Sequence, residues 1–159
     1  MHSPPLHVYM DPKFREGFAK LAQFGLSFDS WAYHTQLSEL TDLAKAYPDT
    51  PIVIDHIGVP LGVGPCAGNR GGVFNEWKKL LQSIAQLPNV SIKLGGMGMS
   101  VFGFPFHKQV KPPTSLELAD AWRPYILTCI DLFGPERCMF ESNFPVDKGT
   151  CSYAVLWNA

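Results

Sequence analysis

Charge is scarce in this sequence and nearly cancels: 13 Lys and Arg stand against 14 Asp and Glu, a formal net charge of −1 over 159 residues. No basic face therefore argues for nucleic acid or an anionic membrane surface. No apolar run approaches the ~20 residues that would span a bilayer. The opening MHSPPLHVYM lacks a cationic stretch followed by an apolar one, so no secretory signal is expected. Cys66, Cys129, Cys138 and Cys151 form no CxxC and suggest no disulfide framework. Reduced thiols in a cytoplasmic protein are the expectation. No internal repeat and no low-complexity tract interrupts the chain. No Gly-rich phosphate loop follows the first predicted strand, which argues against a flavodoxin-like nucleotide site.

What the chain does contain is apolar and aromatic side chain, 46% and 13% of residues, against 17% charged. That composition folds into an ordered domain with a buried core. Residues 1–10, with Pro4-Pro5, read as an irregular leader. Residues 11–25 read as a helix, with Asp11 as N-cap, Pro12 at the first helical position and Gly25 as the stop. Residues 26–33 read as a strand. Residues 36–47 form a helix with Leu37, Leu40, Leu43, Ala44 and Tyr47 on one side. PIVID, 51–55, is a strand apolar on both faces. A Gly/Pro-rich loop over 57–72 precedes an amphipathic helix at 74–87. VSIKL, 90–94, is the next strand, and a second long loop fills 95–113. Residues 114–134 are helical, but a proline inside a helix costs about 3 kcal/mol, so a break is expected at Pro124. RCMFE, 137–141, is the last strand, and a helix begins near Ser152. Strands alternate with helices across connections too long for hairpins, which predicts a parallel α/β sheet with crossover helices. Such sheets gather their chemistry at the strand C-termini.

Four strand ends deliver polar groups. The first offers Asp29, Trp31, Tyr33 and His34; the second Asp55 and His56; the third Lys93; the fourth Glu141, Ser142 and Asn143. The stretch IVIDHIG poses the sharpest question, because a buried strand there runs directly into an acid and an imidazole. Asp55 reads as a brace, since neighbouring strand residues point to opposite faces. Lys93 reads either as a lysine with its stem buried and its head in water, or as a substrate contact. Glu141 reads as pointing away from the partners of Asn143 or into a salt bridge. His107, in the aromatic loop VFGFPFHKQ, could serve as a lid residue. His2 and His7 are assigned no role.

The segments GLSFDSWAYHTQLSELTDLAKAYPDTPIVIDHIGVPLG, NVSIKLGGMGM and ERCMFESNFPVDK resemble, in order, the strand ends of the amidohydrolase-related (amidohydrolase 2) family. They are most similar to its lactonase-like branch, which includes fuconolactone and 2-pyrone-4,6-dicarboxylate lactone hydrolases. The resemblance implies a (β/α)₈ TIM barrel, of which this chain would hold the C-terminal half: about four parallel strands with outer helices, over residues 11–159, truncated at both ends. It implies hydrolysis of a lactone by water attack on the carbonyl. His56 would be the histidine ending strand six, polarising the carbonyl or orienting the water. Asn143 would occupy the catalytic position ending strand eight. His34, Lys93 and Tyr33 would contact substrate, with His34 also the candidate metal ligand. Zn or another divalent metal is a candidate cofactor, since some members use one and some lactonases do not; none is expected to bind tightly to this half alone. The implied partner is a small lactone or carboxylate-bearing molecule.

Two departures stand out. The family's first strand carries His-x-His, and that motif is absent from these residues. Many members carry Asp where this chain has Asn143, and a neutral amide cannot take a proton from water. Some lactonase-like relatives carry the same Ser-Asn-Phe-Pro, and Asp147 is the nearest carboxylate that could substitute. The chain alone is therefore expected to be a weak hydrolase or an inactive binding fragment. Its open strand edges predict self-association.

Overall fold

The computed structural model describes residues 7–159, so Pro4, Pro5 and His2 lie outside the described residues. Of the predicted leader, Val8–Met10 forms a 3-10 turn, and Tyr9 is buried with its hydroxyl 2.7 Å from Ser30 Oγ. Helix α1 (Pro12–Phe18) begins as its sequence dictates: the Asp11 carboxylate accepts from the Lys13 and Phe14 amides. It is shorter than expected, and Ala22–Phe24 follows as a 3-10 turn closed by Gly25 at φ 63°. Phe14 and Phe18 pack edge-on against Phe28.

Strands β1 (Phe28–Ser30), β2 (Ile52–Ile54), β3 (Val90–Leu94) and β4 (Cys138–Phe140) form one parallel sheet in the order β1-β2-β3-β4. Phe28 pairs with Ile52, Ile52 with Val90, and Ile92 with Cys138. Helices α2 (Leu37–Ala46), α3 (Arg70–Ile84) and α4 (Ser115–Phe133) supply the connections, and α5 (Tyr153–Trp157) follows the last strand. Strand order never reverses. Right-handed crossovers therefore place the connecting helices on one face of the sheet, as in a barrel wall.

Burial agrees with that one-sided arrangement. Ile52, Ile54, Val90, Ile92 and Leu94 are buried beneath the helices with Leu40, Leu43, Trp77, Leu81 and Leu118. Each such side chain contributes roughly 1.5–3 kcal/mol relative to exposure. The alternate positions Asp29, Val53, Ser91, Lys93 and Met139 are half-buried or exposed, because they face the open concave side.

Helix α4 runs unbroken through Pro124, against the expected split. The reason is packing. Leu118, Trp122, Tyr125, Cys129 and Phe133 form one buried stripe that continues across the proline. Pro124 and Asp120 sit on the exposed side, so water can satisfy the carbonyl that the missing N–H leaves behind. Thr128 Oγ1 donates to the Pro124 carbonyl at 2.7 Å. Helix α3 starts earlier than expected, at Arg70, because the Asn69 side chain caps it through the Gly72 amide.

The two ends of the sheet differ. At the strand N-termini, Arg137 donates to the carbonyls of Ala85, Leu87, Val90 and Phe133 at 2.8–3.1 Å. Asn89 Nδ2 reaches the carbonyls of Ala44, Tyr47 and Thr50, each at 3.2 Å. That end is locked by backbone contacts. The C-terminal end carries the long loops.

Candidate active site

Strand β2 ends in a turn that is conformationally costly. His56 and Ile57 have φ values of 52° and 53°, and Val59 has 33°. Left-handed backbone is disfavoured for side chains with a Cβ, most of all β-branched ones. Three contacts hold the turn. Trp77 Nε1 donates to the Ile57 carbonyl at 2.7 Å. The His34 amide donates to the Val59 carbonyl at 3.1 Å, and the Leu61 amide donates to His34 Nδ1 at 3.2 Å. The turn aims His56 across the sheet toward β4. There the Glu141 carboxylate lies 2.6 Å from His56 Nδ1 and also accepts from the His56 backbone amide at 3.1 Å. Both side chains are largely buried, at 11% and 15% exposure.

The glycines after β3 make this approach possible. A Cβ on Gly96 would lie 2.5 Å from His56 Nδ1, and one on Gly95 would lie 2.5 Å from Glu141 Cγ. Gly98 performs the same service for Asp147, whose Cγ would lie 2.7 Å from a Cβ there.

Asp147 is the third ionisable member of the cluster. Its side chain is fully buried. Oδ1 accepts from Asn143 Nδ2 at 2.8 Å, and Oδ2 accepts from the Gly98 amide at 3.2 Å. Burial raises its pKa from 3.8 to about 6; the bonds from Asn143 and Gly98 and the charge of His56 pull it down, and Glu141 pushes it up. Asn143 itself has φ 52°, which Asn tolerates better than most residues. Thr150 Oγ1 donates to the Gly98 carbonyl at 2.7 Å and ties the loop after β4 to the loop after β3.

The structure thus brings two hydrogen-bonded pairs, His56 with Glu141 and Asn143 with Asp147, to the C-terminal rim, close enough for the charges of the first to act on Asp147. His34 lies beneath the β2 turn as a brace. Burial lowers its pKa, and the neutral ring that accepts at Nδ1 carries its proton on Nε2. Lys93 lies on the concave face between Asp29 and Asp55, at 2.8 and 2.7 Å. Burial opposes its charge, but the two carboxylates outweigh that and hold its pKa above the ordinary lysine value. Tyr33 donates its amide to Gln36 Oε1 and packs its ring against Trp31, centroids 5.0 Å apart. Of these residues, Glu141 is the one whose part sequence reasoning understated. Its signal was the pair Gly95-Gly96 after a neighbouring strand, a place where two side chains need room.

Among the described residues, no group of three or more His, Cys, Asp or Glu side chains is placed to hold a metal ion. The donors that are present are turned to one another: Glu141 to His56, and Asp147 to Asn143 and Gly98. These residues do not fit a complete zinc ligand set, which takes three or four protein donors. Also among the described residues, no helix is long and apolar enough to cross a membrane.

Relatives were found by sequence and by structure. An uncharacterized protein of Sinorhizobium fredii, y4mH, is 37% identical over 152 residues, 96% of this chain and 44% of that protein. An L-fucono-1,5-lactonase of Burkholderia ambifaria is 28% identical over 138 residues, 87% of this chain and 41% of the lactonase. An L-rhamnono-gamma-lactonase of Scheffersomyces stipitis is 29% identical over 157 residues, 90% of this chain and 43% of that enzyme. Among solved structures, an amidohydrolase from Burkholderia multivorans with bound HEPES superposes with a TM-score of 0.77 at 24% identity, over 92% of this chain and 48% of that one. The same protein with bound Zn gives 0.75, over 92% and 47%. The chain spans about half the length of the relatives it matches, and its four parallel strands correspond to half of the barrel. The family model described as Amidohydrolase matches residues 1–159, and the chain belongs to that family.

Proposed function

We propose that this chain carries one wall of a lactone-hydrolysing site, in which His56 handles the attacking water and Glu141 holds His56. The observation that supports this most directly is the 2.6 Å contact between His56 Nδ1 and Glu141. With its proton on Nδ1 and donated to the carboxylate, the imidazole presents Nε2 as an acceptor for a proton of water. As water adds to the lactone carbonyl, that proton passes to Nε2, and the nearby carboxylate stabilises the imidazolium that forms. The ring oxygen then leaves and takes the proton back, giving a hydroxy acid. Asn143 keeps one amide N–H for Asp147, and its second N–H can donate to the developing oxyanion.

The named lactonases among the relatives support a lactone as the substrate class. The Zn in the Burkholderia multivorans structure belongs to that protein. A metal here would need donors beyond those described, and no step above passes through one. The four cysteines are unpaired, which suits the reducing cytoplasm. The free edges of β1 and β4 and the exposed Met139 and Phe140 support self-association.

The test is hydrolysis of a lactone panel by the purified chain, followed by acid release. Slow turnover is expected, since one wall alone positions the reactants loosely. His56→Ala should remove it, and Glu141→Gln should lower it by roughly 10²-fold or more, as for acid–base groups generally. Turnover unchanged in His56→Ala would overturn the proposal.

A further inference from the structure

A second feature of the same rim concerns what the site accepts. Loops from the two opposite edges of the sheet border an open cleft of about 360 Å³ there. Trp31 enters from the β1 side, Met99 and Val101 from the loop after β3, and Val146 and Thr150 from the loop after β4; His107 completes the lining. The cavity neighbours the Asn143–Asp147 pair through Gly98, which lines it and donates its amide to Asp147. Its size is at the small end of ligand pockets, which run from about 300 to 1,000 Å³.

Its lining is chiefly apolar, with the polar groups of Trp31, Ser100, His107 and Thr150 among its side chains. Among the described residues, no Lys, Arg, Asp or Glu lines it. The Thr150 hydroxyl donates its proton inward to the Gly98 carbonyl. Lys93, the cation of the concave face, is held between Asp29 and Asp55. Trp31 is held against Tyr33 yet remains 39% exposed, and Val146 is 60% exposed. A ligand hydroxyl set against Met99, Val101 and Val146, out of reach of the Trp31 N–H, Ser100 and His107, would lose water and gain no partner, at a cost of roughly 1–3 kcal/mol per group. A methylene there would gain about 0.8 kcal/mol. Methionine adapts to such groups.

Resting on the lactone-hydrolase reading above, we infer that this rim cavity, with Trp31 as its platform, seats an uncharged apolar alkyl or aryl substituent of the lactone. The substrate preference would then differ from that named for the sugar lactonases among the relatives. His107, the one titratable side chain in the lining among the described residues, stands at the exposed side and borders the substituent without pairing with it.

Two measurements test this separately from the reaction. In the first, kcat/KM is compared for γ-nonalactone, γ-butyrolactone and L-rhamnono-γ-lactone. The expected order puts γ-nonalactone at least tenfold above either of the others. Trp31→Ala should erase that preference through KM, while Trp31→Phe should retain most of it. In the second, saturation-transfer NMR on the His56→Ala chain reads γ-nonalactone binding without turnover. The alkyl-chain protons should receive saturation, and Trp31→Ala or Val146→Asp should remove it. Absence of hydrolysis with Trp31-dependent alkyl binding would sink the lactonase reading and keep the cavity assignment. A preference for L-rhamnono-γ-lactone, or alkyl binding indifferent to Trp31 and Val146, would overturn the cavity assignment.

Discussion

Replacing Asp147 with Asn should make the protein more stable at neutral pH and less active at once. Asp147 is fully buried, and burial is the main reason its pKa stands at about 6 instead of 3.8. At about 1.4 kcal/mol for each tenfold change, that difference corresponds to about 3 kcal/mol. The folded-state value is the raised one, so the folded protein binds the extra proton between the two values. Stability is therefore fully present below about pH 4 and is lost as pH rises through about 6. The amide of the Asp147→Asn protein has no such titration. The geometry also predicts a rearrangement. The Gly98 amide is a fixed donor, so the new side chain must present its oxygen to Gly98 and its NH₂ to Asn143, which must turn its own oxygen inward to accept. Asn143 then no longer offers the substrate the same group. The assay is urea unfolding, followed by tryptophan fluorescence, at steps from about pH 4 to 7.5 for both proteins. The stability of the wild type relative to Asp147→Asn should fall by about 2.5 kcal/mol across that range, spread almost evenly between about pH 4 and 6. Parallel curves for the two proteins would refute the reasoning.

Trp77→Phe keeps the ring in the core but removes the N–H that holds the Ile57 carbonyl at 2.7 Å. A loss of about 1–3 kcal/mol is expected in chemical denaturation, with a fall in kcat larger than any change in KM, because the turn that aims His56 loosens. Gly96→Ala places a Cβ 2.5 Å from His56 Nδ1 on a backbone at φ 73°; it should abolish turnover and shift the His56 ring resonances in NMR. Pro124→Ala should stabilise the chain by about 1–3 kcal/mol in thermal unfolding, since it restores an intrahelical bond on an exposed face and removes a residue costing up to about 3 kcal/mol. Phe140, 67% exposed beside the free edge of β4, should promote association; sedimentation velocity should show a concentration-dependent mass that Phe140→Lys reduces.

The architecture was readable because each strand segment was short, apolar and bounded by turn residues, while each helix carried its own stripe. Asp11, Gly25 and Ser152 mark element ends in both sequence and structure, because capping is a local interaction. Pro124 misled for the opposite reason. The propensity cost of one proline is local, but the stripe from Leu118 to Phe133 is buried by α3, β3 and neighbouring loops, and that tertiary contact outweighs it. Arg70 and Asn69 start α3 early because a side-chain cap offsets the two glycines that follow, which composition alone reads as loop.

The site was legible only as far as strand ends reveal it. Parallel pairing brings every strand C-terminus to one rim, so His56 and Asn143 could be placed there from the sequence. Which residue faces which is set by backbone twist and by space. His56 reaches Glu141, 85 residues away, only because its own backbone turns left-handed and because Gly95 and Gly96 leave room between the strands. The same logic separates the two lines of polar residues at the rim. Side chains in strand parity, Asp29, Asp55 and Lys93, pair with one another on the concave face. Those delivered by the irregular turns pair elsewhere at the rim, His56 with Glu141 and Asn143 with Asp147. Asp55 and His56 are neighbours in sequence with opposite fates, one paired with Lys93 on the concave face and the other turned to Glu141. The change of backbone conformation between them is the physical answer to why a buried strand ends on an acid and an imidazole.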